Sequence, residues 1–312
     1  MQSLRRVPAG TACAAFTVNQ SSSPMADIKI AGIMRAGAFS PNHIGNDAAI
    51  FNLVAEQLRK RGCIVNIYSE DHFINSGVDE AVVLNMCREK ASIERLEALE
   101  DAGRLVINSG YGIENCIRER MSRILMAAGI PYPESFIIDT DEVVRDRLAK
   151  AGFERCWVKR GESHTKHRED VTFARHPQEA QEILQEFFLR NIKRAVINRH
   201  IDGELLKFYG VAGTSFFFNF FPMRSGHTRF GEGPATDAPQ QNKFDSEGLK
   251  ALCVKAATAL DVKIYGGDCI VGPDGSITII DFNDWPSFAP CRNEAAPVIA
   301  RMVMNEIKKH RS

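Results

Sequence analysis

Two short apolar runs, Cys269–Val271 and Ile277–Ile280, stand on either side of Gly272-Pro273-Asp274-Gly275. Proline presets φ and glycine tolerates positive φ, so this link reads as a turn and the two runs as the strands of a β-hairpin. The side chains on the hairpin are what restrict the chain. Asp268 is expected to open the first strand, Asp281 to end the second, and Asn283 to lie two residues further on the same face, because strand side chains alternate with a period of two. Three oxygen-bearing side chains would then meet at one end of the hairpin. Such a donor set suits Mg²⁺, which takes one or two carboxylates and fills its remaining positions with water and substrate phosphate. A surface hairpin whose Asp residues close strand ends accounts for each acid singly. It does not account for an apolar Ile-Thr-Ile-Ile run ending in Asp-x-Asn with Trp285-Pro286 behind it.

At 312 residues the chain is long enough for two or three packed units. Lys plus Arg equals Asp plus Glu at 39 each, so the composition indicates no broad nucleic-acid or membrane footprint. The eight cysteines are scattered without C-x-x-C or paired spacing, as in a reduced, cytoplasmic chain that uses them as small core residues. Residues 1–25 hold Arg5-Arg6 and Ser21-Ser22-Ser23-Pro24 but no sustained apolar run, and read as a disordered extension or a misassigned start. No stretch has the apolar length of a membrane helix.

From Asp27 the pattern is strand (to Ile33), polar loop (Met34–His43), helix (from about Asp47) and strand (Cys63–Tyr68). A buried strand (Asp79–Met86), a helix (Ser92–Glu100) and a third strand (Arg104–Asn108) follow, leading to Gly110-Tyr111-Gly112. Alternating strands and helices predict a parallel sheet of the doubly wound kind, with ligand-facing loops at the strand C-terminal ends. The first loop lacks G-x-G-x-x-G, so a dinucleotide fingerprint is not supported. Asn115–Ala128 is a periodic helix stopped by Gly129, with Pro131 and Pro133 beyond it. Cys156–Lys159 is an apolar strand ending in a cation, which is costly to bury unless it meets an anion. The polar stretch Arg160–His167 lacks apolar periodicity, and Ser163, His164 and Lys166 offer donors there. After a helix (Pro177–Phe188) come an apolar strand (Ala195–Ile201), a strand carrying Lys207 (Leu205–Val211) and an aromatic strand (Thr214–Phe221) with Arg224 just after it. Lys207 and Arg224 singly could be gatekeepers at a strand edge, but taken with Asp268, Asp281 and Asn283 they favour a functional reading. Residues 225–243 read as a long mobile loop, Ser246–Leu260 as a helix, and Ala295–Lys309 as the closing helix.

The order G-x-D, apolar strand, glycine turn, apolar strand, acid-x-Asn and a nearby Pro resembles the C-terminal signature of the ATP-grasp superfamily. Glutathione synthetase and the RimK-type glutamate ligases are the members it is most similar to. There the acid is usually Glu, whereas this chain has Asp281-Phe282-Asn283-Asp284-Trp285-Pro286, as inositol-phosphate kinases of the superfamily do. Gly129-Ile130-Pro131-Tyr132-Pro133 matches the family's G-I-P-x-P.

The resemblance implies an α/β chain with an ATP-grasp fold, two α+β subdomains gripping ATP, preceded by a doubly wound parallel-sheet domain. The extension would be 1–25, the N-terminal domain 26–112, subdomain A 113–195, and subdomain B with the metal hairpin 196–312. It implies phosphate contacts from Arg118, Lys159 and Lys207, and from Ser163 and His164 in the loop that closes over the triphosphate. It also implies adenine reading by the backbone of Arg199 and Ile201, ribose contacts from Asp202 or Glu204, and catalytic roles for Arg224 and Lys207. Arg35, Ser40, Asn42 and His43 would face substrate, and Asp268, Asp281 and Asn283 would hold Mg²⁺, with Mn²⁺ as the alternative. The implied activity is an ATP-dependent, ADP-forming carboxylate–amine ligase acting on an amino acid, peptide or related small carboxylate through an acyl phosphate. The implied partners are small-molecule or peptide carboxylates and amines, with no nucleic acid and no membrane; a homo-oligomer is compatible with it. A small-molecule kinase and a non-catalytic nucleotide-binding module are the alternatives, the latter suggested by the few glycines near residues 160–168.

Overall fold

The computed structural model describes residues 28–39, 44–162, 168–222 and 242–312. The first unit comprises β1 (Ile28–Met34), α1 (Ile44–Arg59), β2 (Cys63–Ser69), α2 (Glu70–Ser76), β3 (Val82–Asn85), α3 (Lys90–Asp101) and β4 (Leu105–Ile107). Its sheet has the order β2-β1-β3-β4 and every pairing is parallel. Ile28 and Ile30 pack toward α1, while Ala31 and Ile33 pack on the other face with Phe73, Ile93 and Leu96. Burial on both faces is why β1 and β3 read as nearly continuous apolar runs rather than alternating ones.

Two helices, α4 (Gly110–Asn115) and α5 (Arg118–Ala127), occupy the stretch in which the sequence pattern predicts a loop followed by one helix from Asn115. Ser109 caps α4 by accepting from the Gly112 N–H, and a Cβ at Gly112 would lie 2.1 Å from the Asp261 carbonyl oxygen. That close approach sets α4 against the turn at Asp261. The helix therefore restarts at Arg118, which becomes the first residue of α5.

A second sheet contains β5 (Ser135–Asp139), β6 (Cys156–Arg160), β7 (Val171–Ala174) and β8 (Arg194–Arg199) in the order β5-β8-β6-β7, all antiparallel. Helices α6 (Arg145–Lys150) and α7 (Pro177–Leu189) cover one face, with Leu148, Phe153, Leu184 and Phe187 in its core. A boundary at 195/196 cuts β8, whose residues pair with β5 and β6 up to Arg199. This sheet thus extends a few residues beyond the expected division.

The third sheet runs β10-β9-β11-β12, from β9 (Glu204–Val211), β10 (Phe217–Phe220), β11 (Ile264–Val271) and β12 (Ile277–Asp284), again antiparallel. Leu206, Phe208, Cys269, Ile279 and Phe282 face a core shared with α5 and with α8 (Ser246–Leu260). The last helix, α9 (Arg292–Arg311), returns to α1, so Ile299, Val303 and Ile307 join the core of the first unit.

The first and third units are tied by polar groups. The Asn108 side chain donates to the Ile264 carbonyl at 2.7 Å and accepts from the Lys263 and Ile264 amides at 2.9 Å each, standing in for a strand peptide. Arg88, from the loop after β3, forms a buried ion pair with Asp284 and also donates to its carbonyl at 2.8 Å.

Candidate active site

Asp268 does not open its strand; β11 begins four residues earlier, at Ile264. Gly266 and Gly267 weaken the strand signal, but Gly267 allows close pairing, since a Cβ there would lie 2.2 Å from the Asp281 carbonyl oxygen. Asp268 therefore lies mid-strand, with Lys207 opposite on β9 and Asp281 opposite on β12.

A β-bulge then decides where Asp281 points. Asp268 pairs with Asp281 but Cys269 pairs with Ile279, leaving Ile280 as the extra residue on β12. Ile279 and Phe282 consequently share the core face although three residues apart. Asp281 and Asn283 fall on the other face, and the Asn283 amide donates to Asp281 Oδ2 at 3.2 Å. The Ile280 carbonyl accepts from the Lys159 ammonium at 3.1 Å, which links the end of β6 to the third sheet.

The cations close in from both sides. Lys207 Nζ lies 2.7 Å from Asp268 Oδ1, and Arg118 Nη2 lies 3.7 Å from Asp281 Oδ1 while Nη1 donates to the Arg160 carbonyl. Burial pulls the Lys207 ammonium down, but contact with Asp268 outweighs it and the net shift is upward. Lys159 is 6 % exposed, and burial, with Arg118 nearby, lowers its pKa to about 8 against the opposing pull of Asp281 and Asp268. Three cations thus share two carboxylates. The Lys159 shift means that the negative charge around it does not offset its desolvation, which is the condition an anionic ligand would relieve.

Among the described residues no three His, Cys, Asp or Glu side chains come together as a metal-binding group. Two carboxylates and an amide do, and they remain partly open, at 24 % exposure for the Asp268 side chain and 27 % for that of Asp281. This hard-oxygen set fits a divalent ion that draws its other ligands from phosphate and water. Asp268, Asp281 and Asn283 would hold it.

The structure thus brings together Arg118, Lys159, Lys207, Asp268, Asp281 and Asn283. The residues expected to read adenine and ribose (Arg199, Ile201, Asp202 and Glu204) make no polar contact with that cluster among the described residues. Arg199 donates to Glu134 Oε2 at 2.6 Å and to the carbonyls of Ala151 and Gly152, Asp202 pairs with Arg155 at 2.6 Å, and Glu204 accepts from the Asn242 amide at 2.7 Å. Ile201 lies two residues past the end of β8 and is half-buried. Arg35 corrects the expectation that it faces substrate. Its guanidinium turns inward, donating to Asp47, to the Trp285 carbonyl and to the Met86 carbonyl at 2.8, 3.0 and 3.3 Å. Burial lowers its pKa to about 10, with Arg88 adding to the effect. Ser40, Asn42, His43, Ser163, His164, Lys166 and Arg224 lie outside the described residues.

Sequence reasoning missed Arg88 and Asp284, which together fix the end of β12 beside Asn283. The local signal was Asp284 itself, a third polar residue in the run Asp281–Asp284 that was not assigned to the metal. Glu70 was also missed. Its carboxylate accepts from the amides of Ala36, Arg88 and Glu89 and from the Ser92 hydroxyl, pinning the loops after β1 and β3.

No family model matches the sequence, and no curated protein is similar to it by sequence. Solved structures are similar in fold. The D-alanine–D-alanine ligase of Bacillus anthracis, solved with ATP, superposes with a TM-score of 0.66 at 15 % identity, covering 92 % of this chain and 99 % of that one. A RimK-domain ATP-grasp protein from Sphaerobacter thermophilus has a TM-score of 0.62 at 17 % identity, covering 88 % and 99 %. The ATP-grasp ligase PsnB, complexed with a minimal precursor, has 0.58 at 15 %, covering 90 % and 99 %. The mixed α/β architecture with its separate sheets is therefore that of the ATP-grasp ligases.

Proposed function

We propose that this chain is an ATP- and Mg²⁺-dependent, ADP-forming ligase that joins a carboxylate to an amine. The observation that carries the reading is Lys159, a buried ammonium with a lowered pKa beside Arg118, Lys207 and the Asp268–Asp281–Asn283 face. The second and third sheets would grip the nucleotide between them, and the first unit would contribute to the acceptor pocket. Basic side chains that surround a polyphosphate act by positioning and by neutralising charge as it develops, which needs no protein nucleophile. Asp268, Asp281 and Asn283 would hold a divalent ion, whose charge would offset that developing on the phosphates.

In the proposed reaction a substrate carboxylate oxygen bonds to the γ-phosphorus as the bond from that phosphorus to the β–γ bridging oxygen breaks, and ADP leaves with the electron pair. The amine nitrogen then bonds to the acyl carbon, loses a proton, and phosphate departs with the C–O electrons. Lys159 and Arg118 would hold the phosphates, while Lys207, tied to Asp268, would lie nearest the transferring group. The likeness to a D-alanine–D-alanine ligase supports an amino-acid substrate.

Incubation with ATP, Mg²⁺ and pooled amino acids and short peptides should release ADP and phosphate in amounts equal to the amide formed. ADP without free phosphate, with a phosphorylated product, would assign a kinase instead. Asp281→Ala with Asn283→Ala should abolish turnover and its Mg²⁺ dependence; retention of both would refute the reading.

A further inference from the structure

The strand pairings set two rows of side chains across one face of the third sheet. In the first row Phe220 lies opposite Lys207, Lys207 opposite Asp268, and Asp268 opposite Asp281. In the second, Phe218 lies opposite Tyr209, Tyr209 opposite Gly266, and Gly266 opposite Asn283. The face therefore changes character along one direction. The β12 side carries the acid and amide groups, the middle carries Lys207, and the β10 side is aromatic.

The aromatic side is continuous. Tyr209 is 6.4 Å from Phe220 between ring centroids with planes 7° apart, 6.4 Å from Phe218, and 5.2 Å from the buried Phe288. Phe218 and Phe220 are 5.9 Å apart. Phe218 and Tyr209 rest on the core of the first unit, whereas Phe220 belongs to none of the buried cores and is half-buried beside Lys207. Lys207 and Tyr209 stand two residues apart on the same face of β9, so the aromatic wall and the charged row adjoin.

From these rows we infer that the acceptor site selects a carboxylate bearing an aromatic or bulky apolar group, with the carboxylate beside Lys207 and the side group on Tyr209, Phe218 and Phe220. The inference rests on the ligase reading for the position of the carboxylate. Neighbouring strands are about 4.8 Å apart, so Lys207 and the Phe220 ring lie within the span of one amino acid. A small substituent such as methyl would leave this wall uncovered, whereas a ring would cover it.

Binding of propionate against 3-phenylpropionate, and of alanine against phenylalanine, would be measured by calorimetry in the presence of Mg²⁺ and a nonhydrolysable ATP analogue. The aromatic member of each pair should bind at least tenfold more tightly. Phe220→Ala should bring that ratio toward one, and Phe220→Leu should keep most of it. Equal binding of both members would overturn the inference. So would a Phe220→Ala protein of lowered Tm with an unchanged ratio, which would mean that Phe220 is a packing residue and not part of the subsite. Turnover is read separately, with ATP and hydroxylamine to trap acyl phosphate as hydroxamate. An aromatic binding preference without ADP or hydroxamate would sink the ligase reading and leave the subsite standing. Hydroxamate from small carboxylates in preference to aromatic ones would do the reverse.

Discussion

Replacing Lys159 by methionine should move stability and nucleotide affinity in opposite directions. The wild-type ammonium is buried with a pKa of about 8 against the ordinary 10.5, and at 1.36 kcal/mol per pH unit its charged form costs the folded chain about 3 kcal/mol at neutral pH. Methionine fills similar space without that charge, but it leaves the Ile280 carbonyl without its donor, a loss of about 1 kcal/mol. The net expectation is a gain of about 2 kcal/mol, or about 4 °C in Tm, by scanning calorimetry of the nucleotide-free protein at pH 7. An ammonium whose folded pKa lies below its unfolded value holds its proton less readily in the folded chain. Wild-type stability should therefore rise with pH between about 8 and 10.5, and the advantage of the variant should be widest below pH 8 and close above it. Binding of a nonhydrolysable ATP analogue should meanwhile weaken about 10- to 100-fold, the worth of one charge-assisted phosphate contact. A Lys159→Met protein that is less stable at pH 7 and binds nucleotide normally would refute the reasoning, because the ammonium would then be a structural group.

Nucleotide affinity of the wild type should fall as pH rises above about 8, approaching tenfold per pH unit, with proton uptake seen as a buffer-dependent binding enthalpy, since phosphate binding needs the protonated Lys159. Asp284→Ala leaves the Arg88 guanidinium buried and unpaired and should cost about 3–5 kcal/mol by denaturant unfolding, whereas Arg88→Met with Asp284→Asn should recover most of it. Glu70→Gln sets an amide N–H against donors that the carboxylate accepts and should cost about 1–3 kcal/mol. Gly267→Ala should abolish turnover more completely than it lowers Tm, because the added methyl meets the Asp281 carbonyl and displaces the residue it belongs to.

The hairpin, its turn, the alternation of the first unit and the helix over Ser246–Leu260 were legible because each rests on neighbours in the chain. Lys159 was legible for a related reason, as a cation closing an apolar strand is anomalous wherever that strand ends up. The break before Arg118 was not, since it depends on how closely α4 approaches Asp261, a residue about 150 positions away. Arg35 misled because a polar loop residue near a strand end serves a ligand or a domain junction equally well, and its partners Asp47 and Trp285 are chosen by tertiary packing.

The order of residues by itself determined which chemistry is present: two carboxylates, an amide and several cations on short apolar strands, because composition and the period of two are local properties. Only the tertiary structure decided which of them share a face. The bulge at Ile280 turns Asp281 away from the core, and strand register then aligns it with Asp268, Lys207 and Phe220. Register comes from hydrogen bonding between strands far apart in the chain, and a shift of one residue would exchange the charged face for the apolar one.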